Sequence, residues 1–250
     1  MTTDNLLDAM IAKLETRVVL SDADREAVRI IPHALNHYPA RSYVVREGEL
    51  AGGHCAFILS GLAFRQKLTT EGARQIVSIH LPGDFLDLQH LFLRVADHNV
   101  QALTPLVVVQ VEQAVLQRLI LDRPAIGRAM WIDALIDASV FREWVTNVGR
   151  RNARARIAHL LCEFAMRMQT AGLSGQASRC DLPMTQEEIG DAVGLTSVHV
   201  NRTLKGLEAE GLIQRDKRRI SFDDWSSISS IADFNPRYLH LDQTGPVQPS

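Results

Sequence analysis

The sequence has few cysteines, and their spacing excludes two kinds of cysteine-based site. Cys55, Cys162 and Cys180 are too far apart for a CxxC metal knuckle, and an odd number cannot complete a disulfide framework. The N-terminal stretch contains acidic side chains and no long apolar run, so we expect neither a signal peptide nor a membrane span there. These absences predict a soluble cytoplasmic protein with reduced thiols.

The sequence also lacks a strong excess of either charge. Its net charge is −2 at pH 7, which gives no general attraction to a polyanion. Basic residues cluster locally, however, in "RRNARAR" (150–156) and "RDKRR" (215–219). Because a phosphate backbone responds to the local field, these two clusters are compatible with nucleic-acid binding.

Sequence motifs typical of enzymes are missing as well. The chain contains no GxxxxGK[ST] phosphate loop, no HExxH zinc motif and no GxSxG nucleophile motif. We therefore expect a binding protein and no enzymatic activity.

Hydrophobic periodicity divides the chain into regions of different type. With 250 residues, of which 46% are hydrophobic, two domains with buried cores are feasible. Residues 4–30 show the pattern of one or two short helices, with Ser21 or Asp22 as N-cap of the second. From Tyr43 to Val111, short strand-like runs alternate with glycine-containing turns such as "REGEL" and "LPGD". Many short strands predict a roll, barrel or sandwich.

A helical period begins at Pro124, and a new amphipathic run starts after Arg151. The first of these helices has more apolar surface than one stripe requires. Its apolar positions are Ile126, Met130, Ile132, Leu135, Ile136, Val140, Trp144, Val145 and Val148. We expect it to pack on its own β domain and on a second copy of itself, as in a coiled coil. The alternative is a fully buried helix in a monomer.

The stretch "MTQEEIGDAVGLTSVHVNRTLKGLEAEGL", residues 184–212, contains two helix patterns joined at a glycine. In a window that begins at Gln186, the helix-turn-helix framework positions are occupied by Ile189, Gly190, Val193, Gly194, Leu195, Val200 and Leu204. Gly190 permits a close helix crossing, and Gly194 supplies the left-handed turn. This spacing predicts a helix-turn-helix, and a hairpin used only for packing is the alternative.

The second helix presents a polar outward face, and a basic hairpin follows it. Thr196 is a suitable N-cap, Arg202 could donate two hydrogen bonds to guanine, and Val198 could contact a thymine methyl group. In "GLIQRDKRRISF", strand, basic turn and strand predict a β-wing that contacts sugar-phosphate, with a solvated hairpin tip as the alternative. The predicted DNA-contacting residues are Thr185, Thr196, Ser197, Val198, His199, Asn201, Arg202, Lys205 and Arg218.

The order of these parts resembles the Crp/Fnr family of bacterial transcription regulators. The similarity spans about Tyr43 to Phe222. It is carried by "AFILSGLAF…TTEGARQIVSIHLPGDFLDL", which is similar to the cyclic-nucleotide-binding-type β-roll, and by "PMTQEEIGDAVGLTSVHVNRTLKGLEAEGLI". The resemblance implies an α+β fold with an N-terminal antiparallel β-roll, a long dimerisation helix and a C-terminal winged helix-turn-helix. It also implies a homodimer, a palindromic double-stranded DNA operator and contact with RNA polymerase.

We accordingly expect four segments: a sensory β-roll with N-terminal helices (1–121), a dimerisation helix (122–150), a DNA-binding domain (151–232) and a C-terminal tail (233–250). "HVNR" places Arg202 at the family's base-contacting arginine. Val198 occupies a position where the best-known members carry glutamate. Because valine cannot accept a hydrogen bond from cytosine N4, the operator should differ from theirs.

The sensory half departs from relatives that bind cyclic AMP. Those relatives follow "GDF" with a glutamate and later carry an Arg-Ser pair, whereas Leu88 and the acidic Asp97 region stand here, and an acid repels a phosphate. Phe141-Arg142 replaces the Thr-Ser that contacts adenine. We expect no cyclic AMP binding, with Arg94 as an alternative phosphate partner. The candidate effector pocket consists of Leu86, Asp87, Leu88, Asp97, His98, Asn99, Phe141 and Arg142.

Other cofactors of the family fit the sequence poorly. Iron–sulfur members carry several cysteines near the N-terminus, whereas the first one here is Cys55, so no cluster is expected. Haem is the weaker alternative, because this half contains His54, His80, His90 and His98. The effector is unknown or absent, and an apolar pocket at Leu86, Leu88 and Leu91 would favour a ligand-independent regulator. The competing hypothesis is a small-molecule-binding module whose helix-turn-helix mediates protein contacts.

Overall fold

The computed structural model describes residues 6–50, 52–174, 179–217 and 219–241. The helices are α1 (Asp8–Glu15), α2 (Asp22–Arg29), α3 (Gln113–Asp122), α4 (Pro124–Arg150), α5 (Ala153–Thr170), α6 (Gln186–Val193), α7 (Ser197–Ala209) and α8 (Trp225–Ile231). The strands are β1 (Ala34–Tyr38), β2 (Tyr43–Val45), β3 (His54–Ser60), β4 (Ala63–Leu68), β5 (Arg74–His80), β6 (Asn99–Ala102), β7 (Leu106–Glu112), β8 (Arg179–Asp181), β9 (Gln214–Asp216) and β10 (Arg219–Ser221). Short 3-10 turns occur at Leu88–Leu91 and Pro236–Leu239.

The described chain divides into two compact units, and one boundary between them falls inside α4. The first unit contains residues 6–65, 80–138 and 240–241, and the second contains Gln66–Ile79 and Ser139–Leu239. Among the helices described, none is long and apolar enough to cross a membrane.

In the first unit, β1, β7 and β3 pair antiparallel in that order and β2 pairs antiparallel with β6, whereas Gln66–Ile79, which holds the end of β4 and most of β5, belongs to the second unit. Because successive side chains of a strand point to opposite faces, β3 contributes to two apolar clusters. Cys55 and Phe57 pack in the cluster that includes α1 and α3, whereas Ala56 and Ile58 pack in a second cluster with side chains of β6 and β7. This antiparallel, two-faced arrangement confirms the fold class predicted for the N-terminal half.

The N-terminal helices and the long helix lie where the sequence predicts them. Ser21 caps α2 in a reciprocal capping box with Asp24, and α4 begins at Pro124. Two elements of the first unit were not predicted. Strand β1 pairs only with β7 and leaves most of its side chains partly or fully exposed, so it lacks the alternation of a half-buried strand. Helix α3 follows β7 directly, and no side chain caps its N-terminus.

The second unit is built around α5. Asn152 caps this helix by accepting a hydrogen bond from the Ala155 N–H at 3.0 Å, and its face with Ile157, Leu161 and Phe164 is buried. A three-stranded sheet in the order β8-β10-β9 contains the predicted wing hairpin. Strand β8 was not predicted, because three residues are too few to show a period.

The start of the predicted C-terminal tail packs against α5. The Tyr238 hydroxyl donates to Glu163 Oε2 at 2.8 Å, and its ring stacks on His159 with centroids 5.8 Å apart. The Trp144 indole N–H donates to the same carboxylate at 3.0 Å. The buried Glu163 therefore joins α4, α5 and the 3-10 turn Pro236–Leu239. Residues 242–250 of the predicted tail lie outside the described ranges.

Candidate nucleic-acid interface

The joint between α6 and α7 depends on two glycines. Gly194 ends α6 with a φ of +68°, a left-handed conformation that side chains rarely adopt, and its N–H donates to the Gly190 carbonyl. A Cβ at Gly190 would lie 2.4 Å from the Leu195 carbonyl oxygen, which is shorter than real contacts allow. The turn between the two helices therefore packs on α6 where only glycine fits, as the helix-turn-helix pattern predicts.

Threonine caps begin both helices of this motif. Thr185 and Glu188 form a capping box, in which the Glu188 N–H donates to Thr185 Oγ1 at 3.1 Å and the Thr185 N–H donates to Glu188 Oε2 at 2.7 Å. Thr196 Oγ1 accepts from the His199 N–H at 3.3 Å. Both threonines are exposed at helix N-termini, where free N–H groups and the helix dipole favour an anion.

Helix α7 has a buried apolar side and an exposed polar side. Val200, Leu204 and Leu207 are buried at i, i+4 and i+7, which fixes the helix on the motif. The predicted contact residues Ser197, Val198, Arg202 and Lys205 are exposed, and His199 and Asn201 are half-buried. The side chain of Val198 is unusually open for an apolar residue, since 78% of its surface is accessible. The sequence-based face of α7 is thus the solvent-facing one.

An open depression lies on this face of the helix-turn-helix. Its lining residues are Gln186, Ser197, Val198, Asn201, Arg202 and Lys205. Gln186, the first residue of α6, was missing from the predicted set. Asn201 Nδ2 donates to Gln186 Oε1 at 3.0 Å, so these two carboxamides connect the helices at the depression. A hydrogen bond between residues fifteen positions apart leaves no periodic signal in the sequence.

Arg202 of α7 makes no ion pair within the described part of the chain, unlike the two arginines of the neighbouring wing strands. Arg215, by contrast, forms an ion pair with Glu208, and its hydrogen bond, with a smaller contribution from the Lys205 charge, lowers the pKa of that carboxyl. Arg219 Nε lies 3.2 Å from Asp181 Oδ1. The guanidinium of Arg202 therefore stands in solvent as a donor for an external acceptor.

The wing has the predicted hairpin shape, with β9 and β10 paired antiparallel. Lys217 is exposed at the turn with a φ of +56°. Arg218, the predicted phosphate contact, lies outside the described residues. Because Arg215 and Arg219 already bond acidic side chains, the charge of this segment is partly neutralised within its own unit.

The second basic cluster of the sequence is likewise engaged inside the unit. Arg151 Nη2 lies 2.7 Å from Glu143 Oε1, and Arg154 Nη1 donates to Glu210 Oε1 at 2.8 Å. Arg156 Nη1 donates to the Val193 carbonyl at 3.2 Å, which ties α5 to the end of α6. Three of the four arginines of "RRNARAR" are thus bonded within the unit, which leaves them less available to an external phosphate.

In the first unit, several residues of the candidate effector pocket bond groups of their own domain. Asp87 Oδ1 accepts from the Ala56 N–H at 2.9 Å, and Asn99 Oδ1 accepts from the Glu47 N–H at 3.1 Å. His98 Nδ1 lies 2.6 Å from the exposed Asp97 carboxylate, and burial lowers the pKa of His98 despite that contact.

The apolar residues expected beside the pocket do not pack together. Leu86 is fully buried in one apolar cluster, whereas Leu88 and Leu91 pack in the other. Phe141 and Arg142 belong to the second unit, where Phe141 is half-buried and Arg142 is exposed. The sequence therefore predicted residues from both units for this pocket.

A buried arginine that the sequence did not single out links β4 to α4 within the first unit. Arg65 Nη1 donates to Asp137 Oδ2 at 2.9 Å, and Nη2 donates to the Leu86 carbonyl at 2.8 Å. Burial opposes ionisation of Asp137, but the charges of Arg65 and His80 outweigh it and lower the pKa of this carboxyl. The pair places a fixed cation beside Leu86.

All three cysteines are buried and free, and burial raises the pKa of Cys162 and Cys180 to about 12, so these thiols stay protonated at neutral pH. Across the described ranges, no three His, Cys, Asp or Glu side chains come together as a possible metal site.

Comparisons with known proteins match both halves of the chain. The family model of the cyclic nucleotide-binding domain matches residues 35–123, and that of the Crp-like helix-turn-helix domain matches residues 155–230. The transcriptional activatory protein AadR of Rhodopseudomonas palustris is 31% identical over 199 residues, which cover 78% of this chain and 79% of AadR. The nitrogen fixation regulation protein FixK of Bradyrhizobium diazoefficiens is 29% identical over 225 residues, or 88% of this chain and 91% of FixK. The solved structure of FixK2 from Bradyrhizobium japonicum has the same fold, with a TM-score of 0.71 and 23% identity over 80% of this chain and 98% of that one.

Proposed function

The chain belongs to the Crp/Fnr family of DNA-binding transcription regulators, and we propose that it acts as a homodimer that binds a palindromic double-stranded operator through two copies of α7. The observation that carries this proposal is the exposed Arg202, which has no ion-pair partner among the described residues, on a helix whose opposite side is buried. A recognition helix of this kind enters the major groove and contacts base edges with its N-terminal half.

The proposed contacts follow from the chemistry of the exposed side chains. Arg202 donates two hydrogen bonds to guanine O6 and N7, and Val198 packs on a thymine methyl group. Lys205 supplies a charge for phosphate. The further DNA contacts are Thr185, Thr196, Ser197 and His199 at the helix N-termini, Asn201, and Arg218 of the wing. We also propose that the protein contacts RNA polymerase. Because a bacterial regulator meets DNA and RNA polymerase in the cytoplasm, the proposed activity is cytoplasmic.

The β-roll is proposed to respond to an effector other than cyclic AMP, or to none. Asp97 adds a negative charge beside His98, which disfavours a bound phosphate. Asp87 and Asn99 already accept hydrogen bonds from the backbone N–H groups of Ala56 and Glu47, and Arg65 already bonds Asp137. These interactions engage several of the polar groups that a phosphate-bearing ligand would need, which supports an effector of a different kind or none.

Selection from a pool of random duplexes tests the proposal and its alternative together. The full chain is incubated with the pool alone, with cyclic AMP and with cell extract, and bound duplexes are sequenced. We expect a palindromic motif without any addition and no change on adding cyclic AMP. A protein that forms dimers yet enriches no sequence under any condition would instead support a helix-turn-helix used for protein contacts.

Arg202→Ala should weaken binding to the selected operator by about 1–3 kcal/mol and relax selectivity at one base pair per half-site. The reason is the loss of two hydrogen bonds to a single guanine. Electrophoretic mobility shifts with duplexes changed at each position measure the effect. Arg118→Ala is the matched control, because Arg118 is an exposed arginine of α3 that pairs with Asp122. Equal selectivity before and after the Arg202 change contradicts the assigned role.

A further inference from the structure

The hydrogen bond between the two carboxamides in the depression restricts how Asn201 can face a ligand. A carboxamide carries two N–H donors on nitrogen and an acceptor oxygen, and its rotation about the last bond has a broad, two-fold preference. Left alone, Asn201 could therefore present either end. Its Nδ2 is held 3.0 Å from Gln186 Oε1, which points the nitrogen end toward α6.

Asn201 keeps binding capacity while held in this way. One of its N–H groups bonds Gln186, and the second N–H and Oδ1 have no partner among the described residues. An acceptor oxygen beside a donor N–H matches the N6 donor and N7 acceptor of adenine. Asn201 immediately precedes Arg202 in α7 and lines the same depression, so both can reach one half-site.

We propose that Gln186 is a positioning residue that orients Asn201 to recognise an adenine in the operator half-site. This inference rests on the proposed function, and it adds a base preference and a residue of α6 that the resemblance did not supply. Gln186 acts through Asn201, so its effect is on base selectivity at one position and only secondarily on affinity.

Three variants of the full chain separate orientation from affinity when each is tested by the same random-duplex selection. Asn201→Ala removes the base contact. Gln186→Met keeps the length of the side chain but offers no oxygen acceptor, and Gln186→Glu offers only acceptors. We expect the unmodified chain to prefer adenine at one position by about tenfold. Asn201→Ala and Gln186→Met lose that preference, whereas Gln186→Glu keeps it even though its added charge lowers overall affinity.

The guanine position recognised by Arg202 is the internal control, since none of the three changes should alter it. Failure of the unmodified chain to enrich any motif would defeat the proposed function itself. With a motif present, the inference is overturned if Gln186→Met keeps the adenine preference that Asn201→Ala loses. It is equally overturned if Asn201→Ala changes no position, or if the Asn201-dependent position prefers another base.

Discussion

At the scale of single residues, two glycines of the helix-turn-helix differ in whether a side chain would fit in their place. Gly190 lies where the turn between α6 and α7 packs on α6, and a Cβ there would meet the Leu195 carbonyl oxygen at 2.4 Å. Gly206 lies inside α7, and a Cβ there would meet nothing within 4 Å. The same substitution should therefore act with opposite sign at the two positions.

Gly190→Ala should lower the free energy of unfolding by about 1–3 kcal/mol, because the added methyl group would force the turn at Leu195 away from α6. Gly206→Ala should raise it by about 0.5–1 kcal/mol, because glycine in a helix interior is less favourable than alanine. Urea denaturation followed by circular dichroism measures both. Equal effects of the two changes on the free energy of unfolding would show that the contact between α6 and the turn tolerates a side chain at position 190.

The sequence correctly predicted which face of α7 is exposed, but it did not predict how residues on that face bond other elements. Periodicity was sufficient to show that Val200 and Leu204 are buried and that Arg202 is exposed, since burial alternates with the helical repeat. Periodicity could not show that Asn201 bonds Gln186, because that contact depends on the crossing of two helices. Periodicity also could not show which arginines form ion pairs, since their partners are remote in the chain.

At the scale of elements, the segment after α8 contributes a buried hydrogen bond to the second unit, which the sequence did not predict. Tyr238 and Trp144 both donate to Glu163, whose burial raises its pKa even though these donors and Arg167 work against that shift. Residues of three separate elements thus meet at one buried carboxyl. The sequence could not predict this meeting, because "DFNPRYLHL" has no period and a lone buried glutamate has no motif.

Tyr238→Phe should lower the free energy of unfolding by about 1–3 kcal/mol, because a buried acceptor loses a donor while the ring remains. The same change made in a Glu163→Gln background should cost less, since the coupling between the two side chains is already weakened. Urea denaturation of the four proteins gives this coupling energy. Additive effects would mean that the hydroxyl and the carboxyl do not depend on each other.

Strands and helices differ in how well their sequences revealed them. β3, β5 and β7 are largely buried and contain runs of apolar residues, many of them β-branched in β5 and β7, so these strands were visible between glycine turns. β1 and β8 were not visible, since one is a mostly exposed edge strand and the other has three residues. α3 was missed because no capping residue separates it from β7.

At the scale of the whole molecule, α4 carries apolar side chains that its own chain leaves uncovered. Trp131, Leu135 and Val145 of this helix are 63%, 52% and 69% exposed. Trp131 and Val145 are fourteen residues apart, which is two heptads, so both recur on one side of a helix that pairs in a coiled coil. This exposed stripe supports the proposed contact between two copies of α4.

Leu135→Glu combined with Val145→Glu should weaken the proposed dimer about 100-fold or more, because each dimer would bury several unpaired carboxylates at a helix interface. Sedimentation equilibrium should show a shift to monomer, and binding to a full palindrome should fall to that of one half-site. Leu121→Glu is the matched control, since Leu121 is 77% exposed on α3, outside the stripe. A double variant that sediments as a dimer would show that the two copies meet elsewhere. In that case the spacing of the two α7 helices would have to be set by another surface, because half-site spacing in an operator follows from the dimer geometry.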